Sequence, residues 1–563
     1  MISGRPDTQP GMLDMRQLQI AHEAHAAEGR VTRVIGELGC TSEEEALRAI
    51  ALTLGLEFID LANAEPDLTL LESFPIKLIH RHEIFPIRRE RGSLVVATGN
   101  PFDLNAIDAV SAATGHSAIA VLAFPDEIAK LIKTHLGVGA ETIDGLLAQS
   151  SDAAVEILDE VEWDQSEASE MAQQPSVVRL VNEILTEAVE GRASDIHLEA
   201  QAHGIKIRYR IDGVLQKQPV PPEMNRFHAA IISRLKIMAK LNIAEKRVPQ
   251  DGRIKLRVAG REVDIRVSII PMLHGEGIVM RVLDKDKMQF SLRGVGMEGA
   301  TYAAFNRLIQ LPHGIILVTG PTGSGKTTTL YSALNEIKNE ETKIITTEDP
   351  IEYQLDGINQ IQVHAKVGLT FAASLRSILR HDPDVVLVGE IRDLETAENA
   401  IQASLTGHLV FSTLHTNDAA SSFVRLTDMG VEPFLVSSSL AGAMAQRLVR
   451  TLCPECRQSE TAENLDVPED FPMEAYRAQG GTLYRAVGCR NCRGTGYRGR
   501  LGLFELLVNN EEIRHLACER ATSSSIKQAA VGAGMRTLRQ DGWDKVLRGI
   551  TTVSEVTRVT AAD

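Results

Sequence analysis

A glycine-rich segment with a single lysine offers the clearest chemistry in the chain. Residues 320–327 read Gly-Pro-Thr-Gly-Ser-Gly-Lys-Thr and fit the pattern G-x-x-x-x-G-K-[ST]. An apolar run at 314–319 precedes them, and a helix-forming stretch follows. Glycines let backbone N–H groups surround phosphate oxygens, and the N-terminus of the next helix adds positive partial charge. The sequence therefore predicts a phosphate-binding loop for a nucleotide.

The loop also predicts its ligands, ATP and Mg²⁺. Lys326 would neutralise the β- and γ-phosphates, and the Thr327 hydroxyl would bind the metal. A glycine-rich turn by coincidence is the alternative, and the complete motif with its flanks argues against it. The expected nucleotide contacts are Gly320, Pro321, Thr322, Gly323, Ser324, Gly325, Lys326, Thr327 and Thr328.

Two acidic motifs follow at the ends of further apolar strands. The run 384–390 ends in Glu390, at the sheet edge where open α/β folds bind ligands. Glu390 is the first candidate for orienting Mg²⁺ and the attacking water. Residues 348–352 contain three acids, and Glu348 is a candidate for polarising that water or supporting the metal. A polar strand exit is the alternative for these acids.

Two histidines flank a short apolar run, at His408 and His415. His415 stands at the C-terminal end of this predicted strand, which places it on the active-site edge. We predict that His415 contacts the γ-phosphate. A structural role is the alternative, because a lone histidine is more often structural.

The cysteines predict a metal site. Four of the six form two Cys-x-x-Cys pairs, and four thiolates without a histidine suit a structural tetrahedral Zn²⁺. A redox pair or an iron–sulfur cluster is the alternative. Cys40 and Cys518 are unpaired and are predicted to be core thiols. The four paired residues are Cys453, Cys456, Cys489 and Cys492.

Composition excludes several classes of protein. The 563 residues predict three or four domains, and 44% hydrophobic with 24% charged residues excludes wholesale disorder. A net charge of -16 argues against a protein that coats nucleic acid. No apolar run approaches the roughly 18–20 residues of a membrane span, and no secretory signal is evident. We therefore expect a cytoplasmic protein that reaches a membrane only through a partner.

An acidic segment divides the chain. Ten acids and no lysine or arginine lie between Thr134 and Val178, and without these acids the net charge would be −6. We predict a flexible, solvated linker over 138–174. The acids are Glu141, Asp144, Asp152, Glu156, Asp159, Glu160, Glu162, Asp164, Glu167 and Glu170.

Patterning on either side of this segment predicts folded domains. Residues 1–137 alternate helical and strand patterns, with a helix expected between Ser42 and Gly55. Residues 175–291 begin with an amphipathic helix and continue in alternating strands. Residues 292–563 contain near-continuous apolar strands between helices, which is typical of a parallel sheet covered on both faces.

Together the motifs resemble those of the secretion ATPases, the superfamily of type II secretion, type IV pilus and type IV secretion motors. After the phosphate loop come Thr-x-Glu-Asp-Pro-x-Glu, Asp-x-x-x-x-Gly-Glu-Ile-Arg-Asp and Gly-His-x-x-x-Ser-Thr-x-His. Segments beginning at Ala193, Arg210, Ala244 and His274 are similar to the extension and assembly branch. The resemblance covers about 175–563.

The resemblance implies an α/β multidomain fold. A RecA-like P-loop ATPase domain would occupy 292–563, with a zinc element at about 451–500. A PAS-like α/β domain would occupy 175–291, and an N-terminal docking domain 1–137. The resemblance further implies a homo-hexamer with nucleotide between the PAS-like and RecA-like domains, where Arg266 and Arg281 match arginines that act on the nucleotide.

The resemblance also implies partners. ATP turnover would drive an inner-membrane platform protein, and the N-terminal domain would dock on a cytoplasmic domain of a membrane protein. The chain would thus associate peripherally with the inner membrane, without direct insertion and without nucleic acid. Some related motors bind a cyclic dinucleotide through repeated Arg-Leu-Gly motifs. Because residues 33–36 read Arg-Val-Ile-Gly and no such repeat follows, we expect docking rather than dinucleotide binding.

We therefore expect a Mg-dependent ATP hydrolase that drives pseudopilus assembly and protein export in type II secretion. A type IV pilus extension ATPase is the nearest alternative. A RecA-like nucleic-acid motor is a second, which the acidic composition disfavours. A nucleotide-gated scaffold without turnover is a third, and the presence of Lys326, Glu348 and Glu390 argues against it.

Overall fold

The structure is a computed structural model that divides into two compact units, Met1–Asp284 and Lys285–Asp563. Among the residues that it describes, no helix is long and apolar enough to cross a bilayer. It describes residues 12–28, 31–61, 64, 66–72, 74–136, 155–157, 172, 174–220, 222–258, 260–284, 290–464 and 467–560.

The helices of the first unit are α1 Met15–Glu28, α2 Glu43–Leu54, α3 Ile76–His82, α4 Leu104–Thr114, α5 Pro125–Leu136, α6 Pro175–Glu190 and α7 His228–Met238. The strands of the first unit are β1 Glu57–Phe58, β2 Ile84–Glu90, β3 Ser93–Thr98, β4 Ala118–Leu122, β5 Val155–Ile157, β6 Ala193–Gln201, β7 Gly204–Ile211, β8 Val214–Gln218, β9 Gln250–Val258, β10 Arg261–Met272 and β11 Gly275–Asp284.

The helices of the second unit are α8 Gly299–Ile309, α9 Lys326–Ile337, α10 Phe371–Ile378, α11 Leu394–Leu405, α12 Ser421–Asp428, α13 Pro433–Ser439, α14 Met473–Ala478, α15 Glu511–Cys518, α16 Ser523–Gly532, α17 Leu538–Leu547 and α18 Val553–Val559. The strands of the second unit are β12 Gly314–Thr319, β13 Ile344–Glu348, β14 Asn359–Gln362, β15 Val385–Val388, β16 Leu409–Leu414, β17 Leu440–Leu452, β18 Gln458–Glu460, β19 Leu483–Arg485 and β20 Tyr497–Val508.

The first part of the chain forms a four-stranded sheet in the order β1-β4-β3-β2. The predicted helix before it is confirmed as α2. The Ser42 side chain accepts a hydrogen bond from the Glu45 N–H, and Gly55 ends the helix in the left-handed conformation at φ 70°. Leu47 and Ile50 bury the apolar face of α2, which is why this stretch forms a helix rather than an exposed loop.

A second sheet in the first unit has the order β5-β9-β10-β11-β6-β7-β8. The predicted helix that begins at Pro175 is confirmed as α6, with proline in its first turn. Three residues of the predicted linker, 155–157, are described as β5, which pairs antiparallel with β9. The sequence pattern missed this short strand because backbone pairing, not side-chain periodicity, defines it. Nearly all of the rest of segment 138–174 lies outside the described residues.

The second unit is built on a seven-stranded sheet in the order β14-β13-β15-β16-β12-β17-β20. Its central strands pair in parallel, as predicted, and β17 with β20 adds an antiparallel edge. Along β12, Ile315 and Leu317 belong to one buried cluster, whereas Ile316 and Val318 belong to another. Both faces of the sheet are therefore covered, which explains the near-continuous apolar strands.

The carboxyl ends of the parallel strands bring the predicted motifs to one edge. β12 ends immediately before Gly320, and β16 ends immediately before His415. β13 ends at Glu348 itself, and β15 ends two residues before Glu390. Open α/β sheets bind ligands at this edge, so the fold places the phosphate loop and both carboxylates where chemistry is expected.

Candidate active site

The phosphate loop leads directly into α9, whose first residue is Lys326. The Lys326 ammonium donates to the backbone carbonyls of Gly320 at 2.8 Å and Pro321 at 3.2 Å. Burial lowers the pKa of Lys326, and the carboxylate of Glu390 opposes that shift. The lysine thus bonds to carbonyl groups of its own loop, at the point where the phosphates of a nucleotide would bind.

Two loop glycines are required by close packing and backbone conformation. Gly320 has φ 145°, and a Cβ there would lie 2.6 Å from the Gln446 carbonyl oxygen. Gly325 has φ 89°, and a Cβ there would lie 2.8 Å from the Gln446 side-chain nitrogen. The buried Gln446 side chain also accepts a hydrogen bond from the Thr329 hydroxyl at 2.9 Å. Strand β17 therefore supports the loop from beneath, a role that sequence motifs did not reveal.

A cavity of about 150 Å³ lies between α9 and the ends of β13, β15 and β16. Thr327, Glu348, Glu390 and His415 all line it, so the structure brings four of the predicted residues together. The cavity is adjacent to the start of α9, where the phosphates of a nucleotide would bind.

Glu390 is held by two basic side chains. Arg392 forms an ion pair with one carboxylate oxygen, and the His415 Nε2 lies 3.3 Å from the other. The hydrogen bond to Glu390 raises the pKa of Arg392, while the Glu390 side chain itself is only 13% exposed. The Glu390 carboxylate is thus held beside the cavity by an ion pair with Arg392 and by contact with the His415 ring.

Glu348 is held differently, by neutral donors. The Tyr331 hydroxyl donates to one oxygen, and the other accepts from the Thr346 hydroxyl at 2.5 Å and the Gln360 amide at 3.1 Å. Glu348 is 4% exposed. Sequence reasoning missed Tyr331 and Gln360 because they lie on other elements, α9 and β14, and no motif links them to residue 348. The two carboxylates therefore have different partners: Glu390 contacts an arginine and a histidine, whereas Glu348 accepts from two hydroxyls and an amide.

Arg266 and Arg281 lie in the first unit, on the neighbouring strands β10 and β11. They are directly opposite each other in the antiparallel register. The Arg281 Nε lies 3.3 Å from a carboxylate oxygen of Asp195 on β6. The sheet therefore presents the two arginines side by side on one face. Their predicted action on nucleotide stays a prediction.

The four paired cysteines lie together. Their sulfur atoms are within 4.8 Å of one another, with Cys453–Cys489 and Cys456–Cys492 both at 3.7 Å. Four sulfurs at about 2.3 Å from a central Zn²⁺ would be about 3.8 Å apart in a tetrahedron. The spacing therefore fits a zinc ion held by four thiolates.

Backbone donors favour a thiolate in this cluster. The N–H groups of Cys489 and Gly496 both lie 3.1 Å from the Cys492 sulfur. Burial opposes ionisation, but these hydrogen bonds lower the pKa of Cys492 to about 7. The expectation for Cys518 was wrong, because this thiol is exposed at the end of α15. Cys40 is half-buried.

Comparison with known families assigns most of the chain. The family described as "Type II/IV secretion system protein" matches residues 170–558, which include the phosphate loop, both carboxylates and the cysteines. The chain belongs to this family. It is an ATPase of the type II/IV secretion family, as its motifs predicted. A second family, the MshEN domain, matches residues 54–142.

Relatives of this secretion ATPase cover nearly its whole length. The type II secretion system protein E of Xanthomonas campestris pv. campestris is 44% identical over 531 residues, 94% of this chain and 92% of that protein. The type IV pilus assembly ATPase PilB of Myxococcus xanthus is 40% identical over 556 residues, 98% of this chain and 97% of that protein.

A solved structure shares the fold of this secretion ATPase. The ATPase DotB of Legionella pneumophila superposes with a TM-score of 0.50 at 22% sequence identity, covering 72% of this chain and 99% of DotB. At this identity the likeness concerns the fold alone. It agrees with the predicted α/β multidomain architecture.

Proposed function

We propose that the chain is a hexameric motor that hydrolyses ATP to assemble a pseudopilus and export protein in type II secretion. The observation that carries the proposal is the cavity at the start of α9, where Thr327, Glu348, Glu390 and His415 converge. A loop for phosphates and two oriented carboxylates are the parts that phosphoryl transfer to water requires.

The neutral environment of Glu348 suits it to accept a proton from the attacking water. The water oxygen would bond to the γ-phosphorus while the bond to the bridging oxygen breaks, releasing ADP and phosphate. Lys326 would neutralise charge on the β- and γ-phosphates. His415 lies on the same sheet edge as Glu390 and contacts its carboxylate. It would also contact the γ-phosphate, so it would link the position of that carboxylate to the position of the phosphate.

Thr327 and Glu390 are the residues that would hold Mg²⁺, directly or through water. The metal would neutralise charge between the β- and γ-phosphates. A hydroxyl and a carboxylate are the oxygen ligands that Mg²⁺ prefers, and both line the same cavity. The other residues of 320–328 would surround the phosphates, and all of them except Pro321, which has no N–H, would donate through the backbone.

Arg266 and Arg281 would complete the site within a ring. They lie directly opposite each other on β10 and β11, so one anionic ligand at this face would contact both guanidinium groups. A guanidinium suits the charge that develops on the γ-phosphate during transfer. We propose that these arginines act on ATP in the assembled hexamer, which makes turnover depend on assembly.

The four-cysteine cluster is proposed as a structural zinc site. With four thiolates, no position is left for water, so the ion would stabilise the fold rather than catalyse. The cluster connects the residues after β17 with the residues before β20. Strand β17 also packs against the phosphate loop through Gln446. Loss of the metal is therefore expected to affect stability first.

Removing zinc should destabilise the protein measurably. Cys492→Ser is expected to lose about one zinc per chain and to lower the melting temperature by more than about 5 °C, since structural zinc supplies folding free energy. Metal content would be measured by a colorimetric zinc assay, and melting by calorimetry. Cys518→Ser, outside the cluster, should keep both values. Equal zinc content in the two variants would contradict a four-cysteine site.

We propose that the N-terminal domain, residues 1–137, docks on a cytoplasmic domain of an inner-membrane protein. The hexamer would act on an inner-membrane platform protein from the cytoplasmic side. We propose that binding to these proteins is its route to the membrane.

Measuring protein export and surface pili in the same strain would distinguish a type II secretion ATPase from a pilus extension ATPase. The gene would be deleted in its own host and restored with the wild-type chain or the Lys326→Ala variant. The proposal expects secreted enzymes to accumulate inside the deletion strain and the variant strain while surface pili remain. Loss of pili with normal export would favour the extension ATPase, which the PilB relative supports.

A further inference from the structure

The hydroxyl of Tyr331 reaches from the helix of the phosphate loop to the carboxylate of Glu348. Tyr331 lies on α9, four residues after Thr327, so both side chains leave the same face of the helix. Its hydroxyl donates to a Glu348 oxygen, and both residues line the same cavity. One short helix thus connects the phosphate-binding end of the site with the proposed proton acceptor.

Tyr331 can act only as a donor in this contact. The side chain is fully buried, and burial together with the negative charge of Glu348 raises its pKa far above the usual range for tyrosine. The phenol therefore stays protonated at any pH at which the protein functions. Its single hydrogen is committed to the carboxylate.

The Tyr331 hydroxyl fills one of the acceptor positions of Glu348. An ionised carboxylate has two oxygens and about four acceptor positions. Tyr331, Thr346 and Gln360 supply three hydrogen bonds to Glu348. About one position remains for a ligand in the cavity, which is the number that a single attacking water needs. Without the Tyr331 hydroxyl, the oxygen that it contacts would lose its fixed orientation.

The ring of Tyr331 is itself held in place. Phe290 packs edge to face on it, with ring centroids 5.4 Å apart and planes at 71°. Phe290 also contacts Tyr353 at 5.8 Å, and its carbonyl accepts a hydrogen bond from the Asn335 side chain on α9. These aromatic contacts fix the direction of the hydroxyl. The position of the donor is therefore set by packing within this unit.

We infer that Tyr331 is a positioning residue that orients Glu348 toward the attacking water. The inference deepens the proposed hydrolysis and rests on the proposed role of Glu348. Tyr331 would not touch the substrate itself, so its contribution belongs to turnover rather than to nucleotide affinity. Tyr331 and Thr327 lie on the same helix. The distance between the phosphate loop and Glu348, the proposed acceptor of the water proton, would therefore be fixed.

The Tyr331→Phe variant tests this role in the full-length chain. It keeps the ring and its packing on Phe290 but removes the hydroxyl. We expect kcat to fall by about 10- to 100-fold, the range for loss of a hydrogen bond to a charged group, while KM and the Kd of a fluorescent ATP analogue change less than about 2-fold. Tyr302→Phe is the matched control, because it removes a hydroxyl contact with Glu336 outside the cavity.

A double variant separates positioning from a general effect on the fold. In the Glu348→Gln background, the additional Tyr331→Phe change should lower kcat by less than about 2-fold, since the group it orients is already disabled. If the effects of the two substitutions on kcat were fully additive, the inference would be overturned. A wild-type kcat in Tyr331→Phe together with an inactive Glu348→Gln would also overturn it, but the proposed role of Glu348 would stand. Wild-type turnover in Glu348→Gln would overturn both.

Discussion

Replacing Lys326 with alanine should abolish ATP turnover. The lysine is the only loop side chain that brings a positive charge to the phosphates, and its partial burial strengthens that interaction. We expect kcat/KM to fall at least about 100-fold, the range for loss of one strong charge-stabilising donor. Phosphate release and binding of a fluorescent ATP analogue would be measured together, and both should decline.

Lys338→Ala is the matched control for this variant. Lys338 follows the last turn of α9 and donates to the Asp356 carbonyl at 2.9 Å, away from the cavity. It should keep wild-type turnover and a wild-type melting temperature. If Lys326→Ala retained more than about a tenth of the activity, the loop would not be the site of hydrolysis.

Glu390→Gln should separate binding from hydrolysis. The substitution keeps the size of the side chain, removes the charge that pairs with Arg392, and replaces one acceptor oxygen with an NH₂ donor. We expect kcat to fall by about 100- to 10,000-fold, since the carboxylate would orient both metal and water. The Kd of ATP should stay within about 3-fold of wild type, because the phosphate loop is unchanged. Single-turnover phosphate release and equilibrium binding measure the two quantities.

Glu395→Gln is the control for that carboxylate. Glu395 forms an ion pair with Arg376 and is exposed near the start of α11. It should retain full turnover, since exposed ion pairs contribute little. Parallel loss of ATP affinity and turnover in Glu390→Gln would contradict its assignment to the chemical step and would place it among groups that only bind nucleotide.

Much of the site could be predicted because its signals are local. The loop at 320–327 contains its glycines and lysine in one stretch, and its flanking strand and helix are confirmed. Glu348 and Glu390 follow apolar strands, and parallel strands necessarily end at one edge of a sheet. The Cys-x-x-Cys spacing likewise predicted a cluster that the sulfur distances bear out.

Other contacts carry no sequence signal because they join distant elements. Tyr331 looks like an ordinary apolar position of α9, yet its hydroxyl contacts the end of β13. Gln446 lies in an antiparallel pairing of β17 and β20 that alternation did not indicate. Contacts of this kind depend on which strands are neighbours in the folded sheet. Strand order is determined by the whole sheet and not by a local sequence pattern.

The most direct test of the motor proposal compares turnover with assembly. ATPase activity per subunit would be followed against protein concentration, with mass from light scattering, for wild type and Arg266→Ala. Arg257→Ala is the control, since Arg257 pairs with the exposed Glu262 on the adjacent strand. We predict that activity rises as hexamers form and is lost only in Arg266→Ala. Constant activity from a monomer, unchanged in Arg266→Ala, would contradict a site shared between subunits.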